Sequence, residues 1–211
     1  MITSNQKGFT ILELLIATTV FSVILLIVTT GIIKVGNIYY KSITSSKTQE
    51  AARSITSDFS STFQFANGFK QINTSPPSGA LSFCLGDVRY TYIIDSKYTK
   101  GNEFSTGLYS EDLATGSNCV TGTVIDKRQL LGNNMRVLAL NVSQHSASTD
   151  QLWDINLRIA YGDNDLLTHY DNSGTFIPSV PLSTATCKSS ISGSSFCAVA
   201  QLDTLVKKRL E

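Results

Sequence analysis

Glu13 is the first residue in the sequence that requires a chemical explanation. Its carboxylate directly precedes 20 consecutive uncharged residues, Leu14–Ile33, most of which are apolar. A carboxylate in an apolar membrane helix costs about 2.5–3.5 kcal/mol even on the scales that give the lowest values. It therefore needs a partner or a task. The alternative is a helix-end acid that reaches the membrane interface, where the positive end of the helix dipole stabilises it.

A glycine and a phenylalanine stand at fixed distances before this glutamate, in the run KGFTILELL from Lys7 to Leu15. The run resembles the processing site of type IV pilins and pseudopilins. In that family a short basic leader ends in Gly, and the mature chain begins with Phe and carries Glu at its fifth position. The resemblance implies that a prepilin peptidase cuts between Gly8 and Phe9 and N-methylates the new terminus of Phe9. Residues 1–8 are then a leader peptide.

The spacing from Phe9 to Glu13 also has a physical logic. After cleavage, the amine of Phe9 and the carboxylate of Glu13 lie at positions i and i+4 on one helix face. In a bundle of such helices, the amine of one subunit can neutralise the Glu13 carboxylate of its neighbour. A buried charge that is costly alone becomes an assembly signal, because only the correct axial offset pairs it.

Four cysteines, Cys84, Cys119, Cys187 and Cys197, all follow the apolar run. They lack the C-x-x-C and His spacing of a zinc or thioredoxin-type site, so their even number favours disulfides. Disulfides persist in oxidising compartments, which places the C-terminal part outside the cytoplasm. Three connectivities are open, and we favour Cys84–Cys119 with Cys187–Cys197, because the short second loop closes at low entropic cost. Many type IV pilins also have a disulfide-bounded loop near the C-terminus.

Residues typical of enzyme and metal sites are scarce. The sequence has no G-x-S-x-G, no H-E-x-x-H and no glycine-rich phosphate loop, so we predict neither an enzyme nor a cofactor. His145 and His169 lie in polar surroundings and are predicted to be solvated loop residues. Asp163 and Asp165 could offer oxygens to calcium, although they lack the EF-hand spacing and are more typical of a turn.

Charge gives no sign of a nucleic-acid partner. The 211 residues are 16% charged with a net charge of +1, and from residue 67 onward 12 Lys and Arg face 13 Asp and Glu. This balance argues against a protein that coats nucleic acid or an anionic membrane surface. The basic triplet Lys207–Arg209 is predicted to be a solvated chain end.

The uncharged run predicts one membrane-spanning helix over residues 9–35, since about 20 residues at 1.5 Å each cross a ~30 Å hydrocarbon core. A cleaved secretory signal is the alternative, but its apolar region is shorter and ends in a small-x-small site. Lys34, Lys41 and Lys47 follow the run, so the positive-inside rule would favour the opposite orientation. We nevertheless predict that the C-terminal part lies outside the cytoplasm, because its four cysteines favour disulfides.

The predicted fold class is α+β. Residues 36–66 form an amphipathic helix that continues the first one to about Ala66, with Gly31 and Gly36 as points that could loosen. Residues 67–79 are predicted to be a loop, and residues 80–211 a β-rich head of antiparallel strands covered by the stripe Ala51–Phe63. The predicted strands are Ala80–Leu85, Val88–Ile94, Glu103–Tyr109, Val120–Asp126, Met135–Ser143, Leu152–Tyr161 and Cys197–Lys207.

These features together predict a structural subunit of a type IV pilus or related filament. The resemblance implies other pilin subunits, the prepilin peptidase, an inner-membrane assembly platform and membrane lipid as partners. It also implies a single-pass cytoplasmic membrane protein that moves to a cell-surface pilus. The long head favours a minor pilin of the PilW or J-pseudopilin type. A secretion pseudopilin, a major pilin, and a single-pass anchored binding protein or enzyme are the alternatives.

Overall fold

The computed structural model describes residues 8–75, 79–102, 104–145 and 152–209. The chain divides into two compact units, with the boundary between Tyr40 and Lys41. The first unit contains the N-terminal part of one long helix. The second contains the remainder of that helix and all the strands.

Helix α1 (Ile11–Phe65) has 55 residues, which confirms the prediction of one long N-terminal helix. It contains no proline, and Gly31 and Gly36 are helical. The backbone N–H of Leu14 donates to the carbonyl of Thr10 at 3.2 Å, which closes the first turn. Beyond the last turn, the carbonyl of Gly68 accepts from the N–H of Gly86 at 3.0 Å, so the exit is held by the strands that follow.

In the part of the chain that the structure describes, eight strands follow the helix and form two antiparallel sheets. The first sheet has the order β1-β2-β3-β4-β5 and the second has the order β6-β7-β8. The strands are β1 (Phe69–Ser75), β2 (Ala80–Leu85), β3 (Val88–Tyr92), β4 (Leu108–Leu113), β5 (Val124–Gln129), β6 (Met135–Gln144), β7 (Leu152–Tyr161) and β8 (Ala198–Lys207). The α+β class with antiparallel sheets is confirmed.

Three local predictions are wrong. Strand β1 occupies most of the predicted loop 67–79. Its backbone pairs with that of β2 in an antiparallel register in which Phe69 faces Leu85. The strand predicted over Glu103–Tyr109 begins at Leu108, after Gly107 with φ +80°. The strand predicted over Val120–Asp126 begins at Val124, since the backbone around Cys119 forms turns.

The stripe of apolar residues on the second half of α1 covers both sheets, as predicted. Ala52, Ile55, Phe59 and Phe63 are buried in one cluster with residues of β2, β3, β6, β7 and β8. The ring of Phe59 lies 4.7 Å from that of Tyr90 in the first sheet, and the ring of Phe63 lies 5.0 Å from Trp153 in the second. The helix therefore supplies the shared core of this unit.

Glu111 on β4 is a buried carboxylate between two cations. It is 3% exposed, and its oxygens lie 2.6 Å from Nε of Arg89 and 2.7 Å from Nζ of Lys127. Arg89 also donates to the carbonyls of Cys119 and Val120, at 3.2 and 3.1 Å. Burial alone would raise the pKa of Glu111, but the hydrogen bonds from Arg89 and Lys127 outweigh it and lower that pKa.

We expect Glu111→Gln to reduce the free energy of unfolding by about 2–3 kcal/mol at pH 7, because it leaves two cations without their counter-charge. A lowered carboxyl pKa stabilises the fold above the unfolded value of about 4.3 and loses that effect as pH falls through the folded value. The difference in free energy of unfolding between wild type and variant should therefore become smaller at low pH. Fluorescence of Trp153, the single tryptophan, reports unfolding of the full chain in detergent.

Asp112→Asn is the matched control, since Asp112 is the next residue of β4, is exposed and faces Asp126 across the sheet. Removing one of two facing like charges should leave stability unchanged or slightly higher. Two results would contradict the proposed role of the carboxylate. One is an equal free energy of unfolding for wild type and Glu111→Gln at pH 7, and the other is a difference that stays the same at low pH.

Candidate functional site

The first unit presents an apolar helical surface whose large side chains are exposed among the described residues. Among the described residues, α1 is the one helix long and apolar enough to cross a membrane, and none of its most apolar 18-residue window is buried. The side chain of Phe9, just before the helix, is 79% exposed. This unit therefore needs either lipid or other helices around it.

Hydroxyl groups within the apolar run are satisfied inside the helix. Each donates to a backbone carbonyl three or four residues earlier, at 2.8–3.0 Å: Thr18 to Leu15, Thr19 to Ile16, Ser22 to Thr18, Thr29 to Leu25 and Thr30 to Ile27. Polar groups without partners are costly in hydrocarbon. Because these five are paired, they do not prevent this segment from entering an apolar environment.

Glu13 lies in the first turn of α1. Its backbone N–H donates a hydrogen bond to Oγ1 of Thr10 at 3.3 Å, so the Thr10 side chain caps the start of the helix. Thr-x-x-Glu is the capping-box pattern, in which the glutamate side chain would return a bond to the threonine N–H. Within the described residues, the Glu13 carboxylate makes no hydrogen bond or ion pair. The second hydrogen bond of a capping box, to the glutamate side chain, is thus not formed in the described residues. The Glu13 carboxylate is therefore available to another partner.

Gly8 has open space around it. A Cβ added at this position would meet nothing within 4 Å among the described residues. Glycine is usually selected where the backbone needs positive φ or close approach. Among the described residues, no close approach of this kind is seen at Gly8.

The chain contains two disulfides, both in the second unit. Cys84 is joined to Cys119 with a Cα–Cα distance of 6.0 Å, and Cys187 to Cys197 with a distance of 5.8 Å. The first ties β2 to the loop before β5, and the second closes the segment before β8.

Of the two acidic residues considered for calcium, Asp163 has a cationic partner. Asp163 pairs with Nζ of Lys97 at 2.7 Å. Within the described ranges no group of three or more His, Cys, Asp or Glu side chains is placed to hold a metal ion. At the other end of the chain, the basic triplet begins at the last residue of β8, and the N–H of Arg209 donates to the carbonyl of Gln64 at 3.0 Å.

The prediction for His169 is wrong, because this residue is fully buried. Its Nε2 lies 3.1 Å from Oδ1 of Asp95, which also accepts from Nη1 of Arg136 at 3.3 Å. The hydroxyl of Tyr170 donates to Oδ2 of Asp95 at 2.6 Å, and burial together with that carboxylate raises the pKa of Tyr170 to about 12. His145 is half-exposed and pairs with Asp154 at 2.8 Å. The cluster around Asp95 fastens the segment before β8 to the sheets.

In comparisons with known proteins, a family model matches the N-terminal part of the chain. Residues 3–29 match the family model described as the prokaryotic N-terminal methylation motif. The match spans Gly8, Phe9 and Glu13 and most of the apolar run. It supports a prepilin-type leader and a protein of the type IV pilin and pseudopilin family, whose long N-terminal helix and antiparallel sheets the structure shares. No curated protein and no solved structure matches the chain.

Proposed function

We propose that this protein is a structural subunit of a type IV pilus or related filament. The observation that carries the proposal is the run Gly8, Phe9 and Glu13 at the start of an uncovered apolar helix, within the matched methylation motif. Residues 1–8 are the leader, which a prepilin peptidase removes. Residues 9–35 anchor the chain in lipid before assembly and line the filament core after it, while residues 36–66 continue the helix to the head.

Pairing of charges between subunits gives the assembly step its specificity. The new Phe9 amine stays positive after methylation, and the Glu13 carboxylate has no partner in the described part of its own chain. An amine and a carboxylate from adjacent helices neutralise each other at one axial offset only. Other pilin subunits are therefore the partners, and the role is structural rather than catalytic.

The head lies outside the cytoplasm in this proposal. Its four cysteines form two disulfides, which persist in oxidising compartments. The protein thus begins as a single-pass cytoplasmic membrane protein delivered to an assembly platform and ends at the cell surface. The large β-rich head favours a minor pilin of the PilW or J-pseudopilin type, near the filament tip.

An anchored binding protein or enzyme is the competing function. It would account for the apolar helix and the disulfides. It would give no reason for glycine at position 8, where a Cβ would meet no described atom within 4 Å, or for a carboxylate at position 13.

The test is quantitative mass spectrometry of sheared filaments from the native host. We expect this chain in the filament fraction at a small fraction of the abundance of the main subunit. An amount equal to the main subunit would identify a major pilin. Confinement to the membrane fraction would overturn the filament proposal in favour of the anchored binding protein.

A further inference from the structure

An open groove of about 710 Å³ lies on the head at the end of α1. Its walls are the last turn of the helix, the start of β1, the β2–β3 turn and the loop that carries Cys119. The volume falls within the range of small-molecule binding sites. All of its lining residues belong to the second unit.

Phe65 gives this groove an apolar surface. Its side chain is 59% exposed, whereas Phe59 and Phe63 on the same helix are buried in the core. The ring therefore contributes little to the core of the head. A large flat ring held at the edge of a groove offers a stacking surface to a ligand.

Polar side chains without partners line the same groove. Within the described part of the chain, the Lys70 ammonium, the Asp87 carboxylate and the Asn67 amide make no ion pair or side-chain hydrogen bond. All three residues are exposed. One positive charge, one negative charge and one amide thus face the groove beside the Phe65 ring, with donors and acceptors unused.

The groove is held in shape before any ligand arrives. The disulfide from Cys84 to Cys119 joins its floor to one wall. In the β2–β3 turn the N–H of Gly86 donates to the carbonyl of Gly68 at 3.0 Å, and the carbonyl of Asp87 accepts from Leu113 at 2.8 Å. A preformed site spends less of its binding energy on ordering itself.

We propose that this groove binds a neutral saccharide. A sugar hydroxyl both donates and accepts hydrogen bonds, so one ligand can satisfy Lys70, Asp87 and Asn67 together. The two opposite charges cancel, which favours a ligand without net charge. The apolar C–H face of a sugar ring matches the exposed ring of Phe65. The inference does not depend on the filament role, because every residue it uses lies in the second unit.

The experiment uses the full chain in a detergent without a sugar headgroup, since a maltoside or glucoside would compete. The probes are maltotriose, cellotriose, triacetylchitotriose and N-acetyllactosamine, titrated by saturation-transfer NMR. We expect saturable binding of at least one probe. Phe65→Ala should weaken it about tenfold, and Asp87→Asn should weaken it severalfold. Trp153 fluorescence should show unchanged unfolding of both variants.

Phe176→Ala is the matched control, because Phe176 is 46% exposed and does not line the groove. It should change the affinity less than twofold. The proposal is overturned if no neutral probe binds saturably, or if Phe65→Ala and Phe176→Ala have equal effects. Preferred binding of sialyllactose or inorganic sulfate that depends on Lys70 would overturn the neutral class, and preferred binding of an oligoalanine peptide would overturn the saccharide.

Discussion

Glu13→Ala should leave the head folded and the chain inserted, yet reduce its share in sheared filaments by at least about tenfold relative to the membrane fraction. Insertion should become slightly easier, because the apolar helix no longer carries a carboxylate. Assembly should fail, because the Phe9 amine of a neighbouring subunit would be buried without its counter-charge. The measurement is the ratio of filament to membrane protein for wild type and variant.

Glu13→Gln separates the two roles open to this residue. Glutamine serves in a capping box as glutamate does, but it carries no charge. If charge pairing governs assembly, the glutamine variant should fail as the alanine variant does. Glu50→Gln is the control, since Glu50 is an exposed glutamate of the same helix and should assemble normally.

Normal assembly of Glu13→Gln together with a defect in Glu13→Ala would identify Glu13 as a helix cap, worth about 1 kcal/mol. Normal assembly of both would leave the filament role resting on the processing site alone. The anchored binding protein would then be the better account of this chain.

Features that depend on short spacings could be predicted from the sequence. Gly8, Phe9 and Glu13 lie within six residues, and the buried stripe from Ala52 to Phe63 repeats at three and four residues, so both are visible without the fold. The continuous helix follows from the same local pattern and the lack of proline. The long helix and its buried stripe are the parts that the structure shares with the prediction.

Strand β1 could not be predicted in the same way. Its sequence FKQINTS has no sustained alternation of apolar and polar residues, and Asn and Ser disfavour strands. The segment is a strand because β2 supplies antiparallel partners from Leu85 back to Ala80. Backbone hydrogen bonds from a neighbour outweigh intrinsic propensity here, and that neighbour is visible only in the structure.

The buried charge clusters were missed for a related reason. Asp95 meets Arg136 across 41 residues and His169 across 74. Glu111 meets Arg89 and Lys127 through the registers of three adjacent strands. No spacing along the chain reports such contacts. A histidine in a polar stretch is therefore predicted to be solvated, although His169 is fully buried.

Gly8→Val should block removal of the leader. The folded chain has open space around Gly8, so valine should not disturb the fold. A peptidase adapted to a residue without a side chain should exclude the branched one, and we expect cleavage to slow by at least about tenfold. Intact mass and N-terminal sequencing from a host with the peptidase would show a chain beginning at Met1. Gly31→Ala, which also has open space, should be cut normally and begin at Phe9.

The uncut chain also links this variant to Glu13. Without cleavage the nitrogen of Phe9 remains in a peptide bond and carries no charge, so the Glu13 carboxylate of a neighbour loses its partner. The uncut chain and Glu13→Ala therefore abolish the same ion pair, each by removing one of its two members. The two substitutions should therefore be non-additive, with the double variant no less assembled than Gly8→Val alone. A wild-type chain that begins at Met1 would refute the leader, and efficient cutting of Gly8→Val would refute the demand for glycine. A further loss of assembly in the double variant would show that Glu13 acts on something other than the processed terminus.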